Sequence, residues 1–310
     1  MTDLPVIVIR FALYADLMVL TGLVAFTLYG QTAEERTSGM LPLTRLAIPL
    51  SFLGLLLSAF GMAALIASMT GTSLLAIDGE TARSIIGETA IGTAWIVRMA
   101  AMFVALVFAL MLDRGRLFAR MGLLLCAALA IATLVWTGHA GATEGWQGTL
   151  HRSADVVHML AAAVWIGGIA AFALLLFRPF ALLTEAQLAM AARALAQFSQ
   201  VGTLAVGLIV ATGVANGLIL LGWPDPARLI VSTYGQLLLA KLALFAAMLI
   251  LAAINRWRLT PTLGAAAQAD DAGAAVGALR RSLLVEGLAA LAILALVAWL
   301  GTLEPLGTAV

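Results

Sequence analysis

Long apolar runs, each closed off by a short polar or glycine- and proline-bearing interval, follow one another along the whole chain. They occupy about 5 to 29, 43 to 69, 91 to 112, 120 to 138, 154 to 177, 197 to 221, 235 to 255 and 282 to 302. Each matches the roughly 20 residues a helix needs to cross the hydrocarbon core, and none shows the ten-residue alternation of a membrane barrel strand. Only a helix satisfies its own backbone in lipid, so the pattern predicts an all-α integral membrane protein, a bundle of eight transmembrane helices. The first run, MTDLPVIVIRFALYADLMVLTGLVAF, lacks a basic leader and a small-residue cleavage site and is read as a retained first helix. The chain reads as one membrane domain, 1–310, whose first half ends near 116 after span three; 262–279, TLGAAAQADDAGAAVGAL, reads as a flexible cytoplasmic linker.

Composition agrees: 63% of residues are hydrophobic and 11% charged, against about 25% charged in soluble domains. The net charge of +1 points to neither nucleic acid nor an acidic partner, so the expected surroundings are the lipid bilayer. The distribution of charge orients the spans. Arg114, Arg116 and Arg120, then Arg178 and Arg193, then Arg256, Arg258, Arg280 and Arg281 fall in alternate loops, which the positive-inside rule makes cytoplasmic. Both termini and the connections 70–90, 139–153 and 222–234 then face the periplasm across a bacterial inner membrane, the last two carrying Trp146 and Trp223. The two halves also resemble each other. GTAWIVRMAAMFVALVFALMLDRGR from 92 lines up with GQLLLAKLALFAAMLILAAINRWR from 235, with Arg98 and Lys241 six residues beyond equivalent glycines. Two four-helix repeats sharing one orientation would follow.

Against this background the polar residues stand out. The chain's three histidines, His139, His151 and His158, lie within twenty residues of one another, with Asp155 between the last two. On a helix His151, Asp155 and His158 take positions i, i+4 and i+7 and share a face. Imidazoles bind copper, zinc or haem iron, and a neighbouring carboxylate can ligate or hold the tautomer; capping and hydrogen bonding at a membrane surface are the alternative. Asp16, Arg98, Asn216 and Lys241 are polar groups inside spans, which need a partner or water. They are expected to line a pathway or vestibule under the histidines, with snorkelling to headgroups the alternative for Arg98, Lys241 and Arg10. The twelve methionines include helically spaced pairs, Met62 with Met69 and Met99 with Met102, that could serve Cu(I) or simply fill space. Cys126 and Glu286 sit at equivalent depths in spans four and eight, and Gly167, Gly168, Gly213 and Gly217 suit close helix packing. The single cysteine excludes an internal disulfide and a CxxC motif. No Walker A, GxGxxG, HExxH or nucleophile-elbow pattern occurs, and the chain is not read as an enzyme.

The run LHRSADVVHMLAAAVWIGGIAAFALLL, then FSQVGTLAVGLIVATGVANG, TYGQLLLAKLALFAAMLILAAINRWRLTP and the final ALRRSL, resembles the bacterial copper-resistance protein D (CopD) family, most closely over 117–310. The resemblance implies an eight-helix inner-membrane protein that binds copper and carries it toward the cytoplasm, beside a separate periplasmic CopC-like copper-binding protein. The positions matching the family pattern are His139, His151, Asp155, His158, Trp165, Gly167, Gly168, Asn216, Tyr234, Gly235 and Lys241. Gln236 stands where the family more often has a basic residue. Two other readings remain open: a haem b electron-transfer protein, with His139 and His158 as axial ligands, and a non-transporting docking partner for a periplasmic copper chaperone.

Overall fold

The computed structural model describes residues 4–112, 116–179, 183–222, 226–259 and 272–305. Trp223 and most of the segment read as a linker lie outside the described residues. Eight helices are long and apolar enough to cross a membrane: α1 Leu4–Tyr29, α2 Leu43–Thr70, α3 Ala90–Leu110, α4 Leu117–Ala132, α5 Gly145–Leu176, α6 Glu185–Leu221, α7 Thr233–Ile254 and α8 Ala272–Leu300. A 3₁₀ turn, Thr133–Thr137, continues α4. No strand occurs among the described residues.

Hydropathy finds the apolar part of each helix, and three helices run further than it shows. α5 begins at Gly145, α6 at Glu185 and α8 at Ala272. Their extra turns are too polar or alanine-rich to score as a span, yet they bury Met190, Ala191, Ala194, Val276 and Leu279 against the bundle. The last part of the proposed linker, 272–279, is therefore helix. A capping box fixes the start of α6, where Thr184 and Gln187 satisfy each other's backbone N–H.

α1 and α5 form the central pair. They meet at Gly22 and Gly167, where a Cβ on either residue would fall into the other's backbone; small residues of this kind let membrane helices approach closely. Phe26 packs edge-on against Phe172 at 5.2 Å, fixing the same crossing one turn further in. Around α1 the first four helices close into a ring, α1 on α2, α2 on α3, α3 on α4 and α4 back on α1. In the second half α5 packs on α6 and α8, and α8 on α7, but α6 and α7 scarcely touch. The ring is open at that seam.

The halves share a local device. Both α3 and α7 follow a short helix, Gly79–Glu88 and Pro226–Val231, folded back on the start of the long one. The hydroxyl of Thr89 accepts from Gly92 N–H at 3.0 Å, and that of Ser232 from Gly235 N–H at 3.1 Å. At both glycines a Cβ would strike the preceding short helix, at Ile85 and Ile86 or at Leu229.

One end of the bundle is rich in arginine and tied by it. Arg120 donates to the Arg36 carbonyl at 2.9 Å, Arg280 to the carbonyls of Leu176 and Arg178, and Arg193 pairs with Glu35. At the opposite end Arg10 near the start of α1 donates to the Thr137 carbonyl at 2.8 Å, and Leu300 at the end of α8 meets His139. The histidine end thus holds both described chain ends.

Candidate functional site

His139 opens a one-turn helix, His139–Ala142, between α4 and α5. Its Nε2 lies 3.1 Å from the Leu300 carbonyl, and its ring edge meets Tyr234 with centroids 6.1 Å apart. A carbonyl only accepts, so Nε2 carries the proton and Nδ1 the lone pair. Burial pushes this imidazole below the usual histidine value, with the Leu300 hydrogen bond opposing.

His151, on α5, is buried, and its Nδ1 lies 2.9 Å from the Thr143 hydroxyl. That hydroxyl donates its proton to the His139 carbonyl at 3.3 Å, so it accepts from Nδ1–H and leaves the lone pair on Nε2. Arg152 donates to the Thr143 carbonyl at 3.0 Å and holds the same turn. His139 and His151 are thereby joined through Thr143.

His158 lies two turns deeper. Its Nδ1 sits 3.1 Å from the Ile209 carbonyl and 3.0 Å from the Thr212 hydroxyl, which itself donates to the Leu208 carbonyl at 2.5 Å. Again Nδ1 donates and Nε2 keeps its lone pair. Gly213 lies beside this ring, where a Cβ would rest in ordinary contact, 3.5 Å from His158 Cε1. Asp155 accepts from Asn216 Nδ2 at 3.2 Å, and Lys241 is the cation whose field acts on it.

The histidines are strung along the membrane normal rather than gathered. Seven residues of helix separate His151 from His158, an axial rise of about 10 Å. Among the described residues no three His, Cys, Asp or Glu side chains come together as a set that could hold a metal ion. The arrangement is an outer pair, His139 and His151, above a deeper station of His158, Asp155, Asn216 and Lys241.

His158 and Lys241 border a cavity of about 470 Å³ in the open seam between α6 and α7, floored by Trp165 and Phe245 with Met248 in its wall. A second cavity of about 270 Å³ continues toward the arginine-rich end, bordered by Trp165, Phe198, Asn255, Arg256 and Glu286. Trp165 belongs to both and packs edge-on against Phe245 at 5.9 Å, dividing them. Glu286 is buried, accepting from Asn255 and from Ser282, the latter at 3.2 Å.

The remaining candidates lie elsewhere. Arg98 is enclosed by the first ring and reaches Thr133 Oγ1 at 3.5 Å. It is turned inward and does not snorkel. Asp16 is buried between α1, α2 and α3 beside Met102 and Gly54, with neither carboxylate oxygen hydrogen-bonded. Met62 is buried whereas Met69 is exposed, so that spacing makes no pair. Cys126 is a half-buried free thiol packed on the core. Sequence reasoning did not find Thr143 and Thr212, which set the tautomers, nor Phe245. Their roles depend on contacts across helices, although a hydroxyl four residues after His139 was a visible clue.

Fold and site together define a polytopic α-helical membrane protein with imidazoles and a carboxylate leading from one face into a half-open bundle. Residues 1–149 match the family described as copper resistance protein D-like, N-terminal domain, and residues 192–300 match copper resistance protein D. The chain belongs to the copper resistance protein D family. It is 39% identical to copper resistance protein D of Pseudomonas syringae pv. tomato over 98% of each chain. It is 29% identical to inner membrane protein YebZ of Escherichia coli over 96% of this chain and 98% of that one. Copper transport protein CutJ of Bacillus subtilis is 34% identical over 56% of this chain and 31% of that protein. No solved structure matches the chain. Its place is thus among membrane proteins of copper handling.

Proposed function

We propose that this protein captures copper at the periplasmic face and passes it through its second half toward the cytoplasm. The observation that supports this reading is the state of the three histidines: each has one ring nitrogen donating to a carbonyl or hydroxyl, which leaves the other nitrogen's lone pair for a metal. His139 and His151 receive the ion, with Asp155 and His158 next along α5. Asn216 orients Asp155, and Lys241 sets the field at the cavity mouth. A soft ion would find the Met248 thioether further in, then the Trp165 and Phe245 constriction, then Glu286. Asp16 and Arg98 stand off this route, in the first ring.

The histidine end takes the periplasmic side in this proposal because the opposite end carries the arginines. A separate CopC-like protein would deliver the ion there, and Trp146, exposed five residues before His151, gives it an apolar contact. The test is copper stoichiometry of the purified protein beside a His151→Ala, His158→Ala double variant. Loss of most bound copper is expected, unchanged stoichiometry would refute the site, and a stoichiometric Soret band would favour haem instead.

A further inference from the structure

The first ring encloses a polar feature that the copper route does not use. A cavity of about 40 Å³ lies among α1, α2, α3 and the end of α4, bordered by Arg10, Tyr14, Met62, Arg98, Leu134 and Thr137. Two of these side chains are guanidiniums. Arg10 uses one nitrogen on the Thr137 carbonyl at 2.8 Å, and Arg98 has a long contact of 3.5 Å to the Thr133 hydroxyl. Arg10 Nη1 and Arg98 Nε are buried with no hydrogen-bond partner.

Neither arginine pairs with a carboxylate of the described residues. Arg98 is only 4% exposed. A buried carboxylate can lose its charge by taking up a proton, but a guanidinium keeps its charge in proteins. Buried charges are paired or they cost free energy, and Arg98 is such a charge with Arg10 bordering the same space. What the space lacks is a negative charge.

We propose that this cavity binds a small inorganic anion of halide size, chloride being the abundant one, between the Arg10 and Arg98 guanidiniums beside Tyr14. Size selects the class. A cavity needs roughly 10–15 Å³ of such space to hold one water, a chloride ion is close to water in size, and the cavity of about 40 Å³ admits a halide with room to spare. Sulfate or a lipid phosphodiester needs more room. The site uses none of the histidines as ligands, and its test needs no copper.

The full-length protein, purified in detergent and exchanged into sodium gluconate, is titrated with chloride, bromide or sulfate at constant ionic strength while its melting temperature is followed. Chloride line broadening by NMR reads binding directly. In a parallel arm, phosphatidylcholine nanodiscs with and without phosphatidylglycerol test a lipid phosphate. Chloride and bromide should raise the melting temperature saturably, sulfate and phosphatidylglycerol should not, and Arg98→Gln and Arg10→Gln should each abolish the response. In gluconate Arg98→Gln should melt above the parent, because the unbalanced charge has gone. Should Arg98→Gln fail to fold, Arg10→Gln carries the same test. Equal melting in gluconate and chloride, a response kept in the arginine variants, or a shift by sulfate or phosphatidylglycerol alone would overturn the assignment.

Discussion

The Thr212 hydroxyl donates to its own helix at Leu208 and accepts from His158, so it can hold the imidazole in only one tautomer. Removing it should loosen the ring without removing the ligand. Thr212→Val is expected to weaken copper binding by roughly 10- to 100-fold, as is typical when a ligand's supporting partner is lost, whereas His158→Ala should abolish it at that station. Isothermal titration distinguishes the two, and equal affinities for Thr212→Val and the parent would show that the Ile209 carbonyl alone holds the ring, contradicting a supporting role for Thr212. His139 makes a pH-dependent prediction. Its folded value lies below the usual 6.5 because of burial, so below about 6.5 the unfolded chain takes up a proton that the folded chain refuses. Stability contributed by the neutral ring is present above that value and is lost as pH falls. The parent should therefore lose more melting temperature between pH 7 and pH 5 than His139→Asn, whose amide can still meet Leu300; equal losses would refute the burial effect. The histidine spacing was legible in the sequence, but the partners were not. Leu300 and Ile209 lie 161 and 51 residues from the imidazoles they hold, and both act through backbone carbonyls, which carry no residue-type signal.

The eight spans were legible because an apolar run of sufficient length has one solution in lipid. The overhanging turns of α5, α6 and α8 escaped because hydropathy measures the hydrocarbon slab, and helices do not stop at its edge. Same-face spacing along α5 also suggested a metal cluster, since it reports angle around the helix and ignores rise along it. The glycine reading could be made from sequence, but only structure says which glycine meets which. At the α1 and α5 crossing Gly22 and Gly167 touch backbone to backbone, leaving no room for a methyl group. Gly167→Ala should cost about 1–3 kcal/mol, the usual range for overpacking, and Gly167→Leu should prevent assembly. By contrast Gly217→Ala, which meets nothing within 4 Å, should be tolerated. Thermal melting of the three variants in detergent checks the order, and a Gly167→Ala protein as stable as the parent would show that the two helices can slide apart freely.

For the molecule as a whole, the contrast between the halves matters most. The first four helices close on themselves and the second four leave a seam holding two cavities divided by Trp165. A permeation pathway requires binding firm enough to capture an ion and weak enough to release it, with stations in between, and the seam lies directly below His158. Orientation belongs to this level too. With the histidine end periplasmic, alkaline phosphatase fused after the last residue should be active and a cytoplasmic reporter there silent; the reverse pattern would invert the proposed direction. The most direct test of copper passage is uptake into proteoliposomes that contain a trapped copper chelator, comparing the parent, His158→Ala and protein-free vesicles. The parent is expected to load copper well above protein-free vesicles and His158→Ala to fall to their level. Parent and empty vesicles accumulating copper equally, or His158→Ala matching the parent, would contradict passage through this seam.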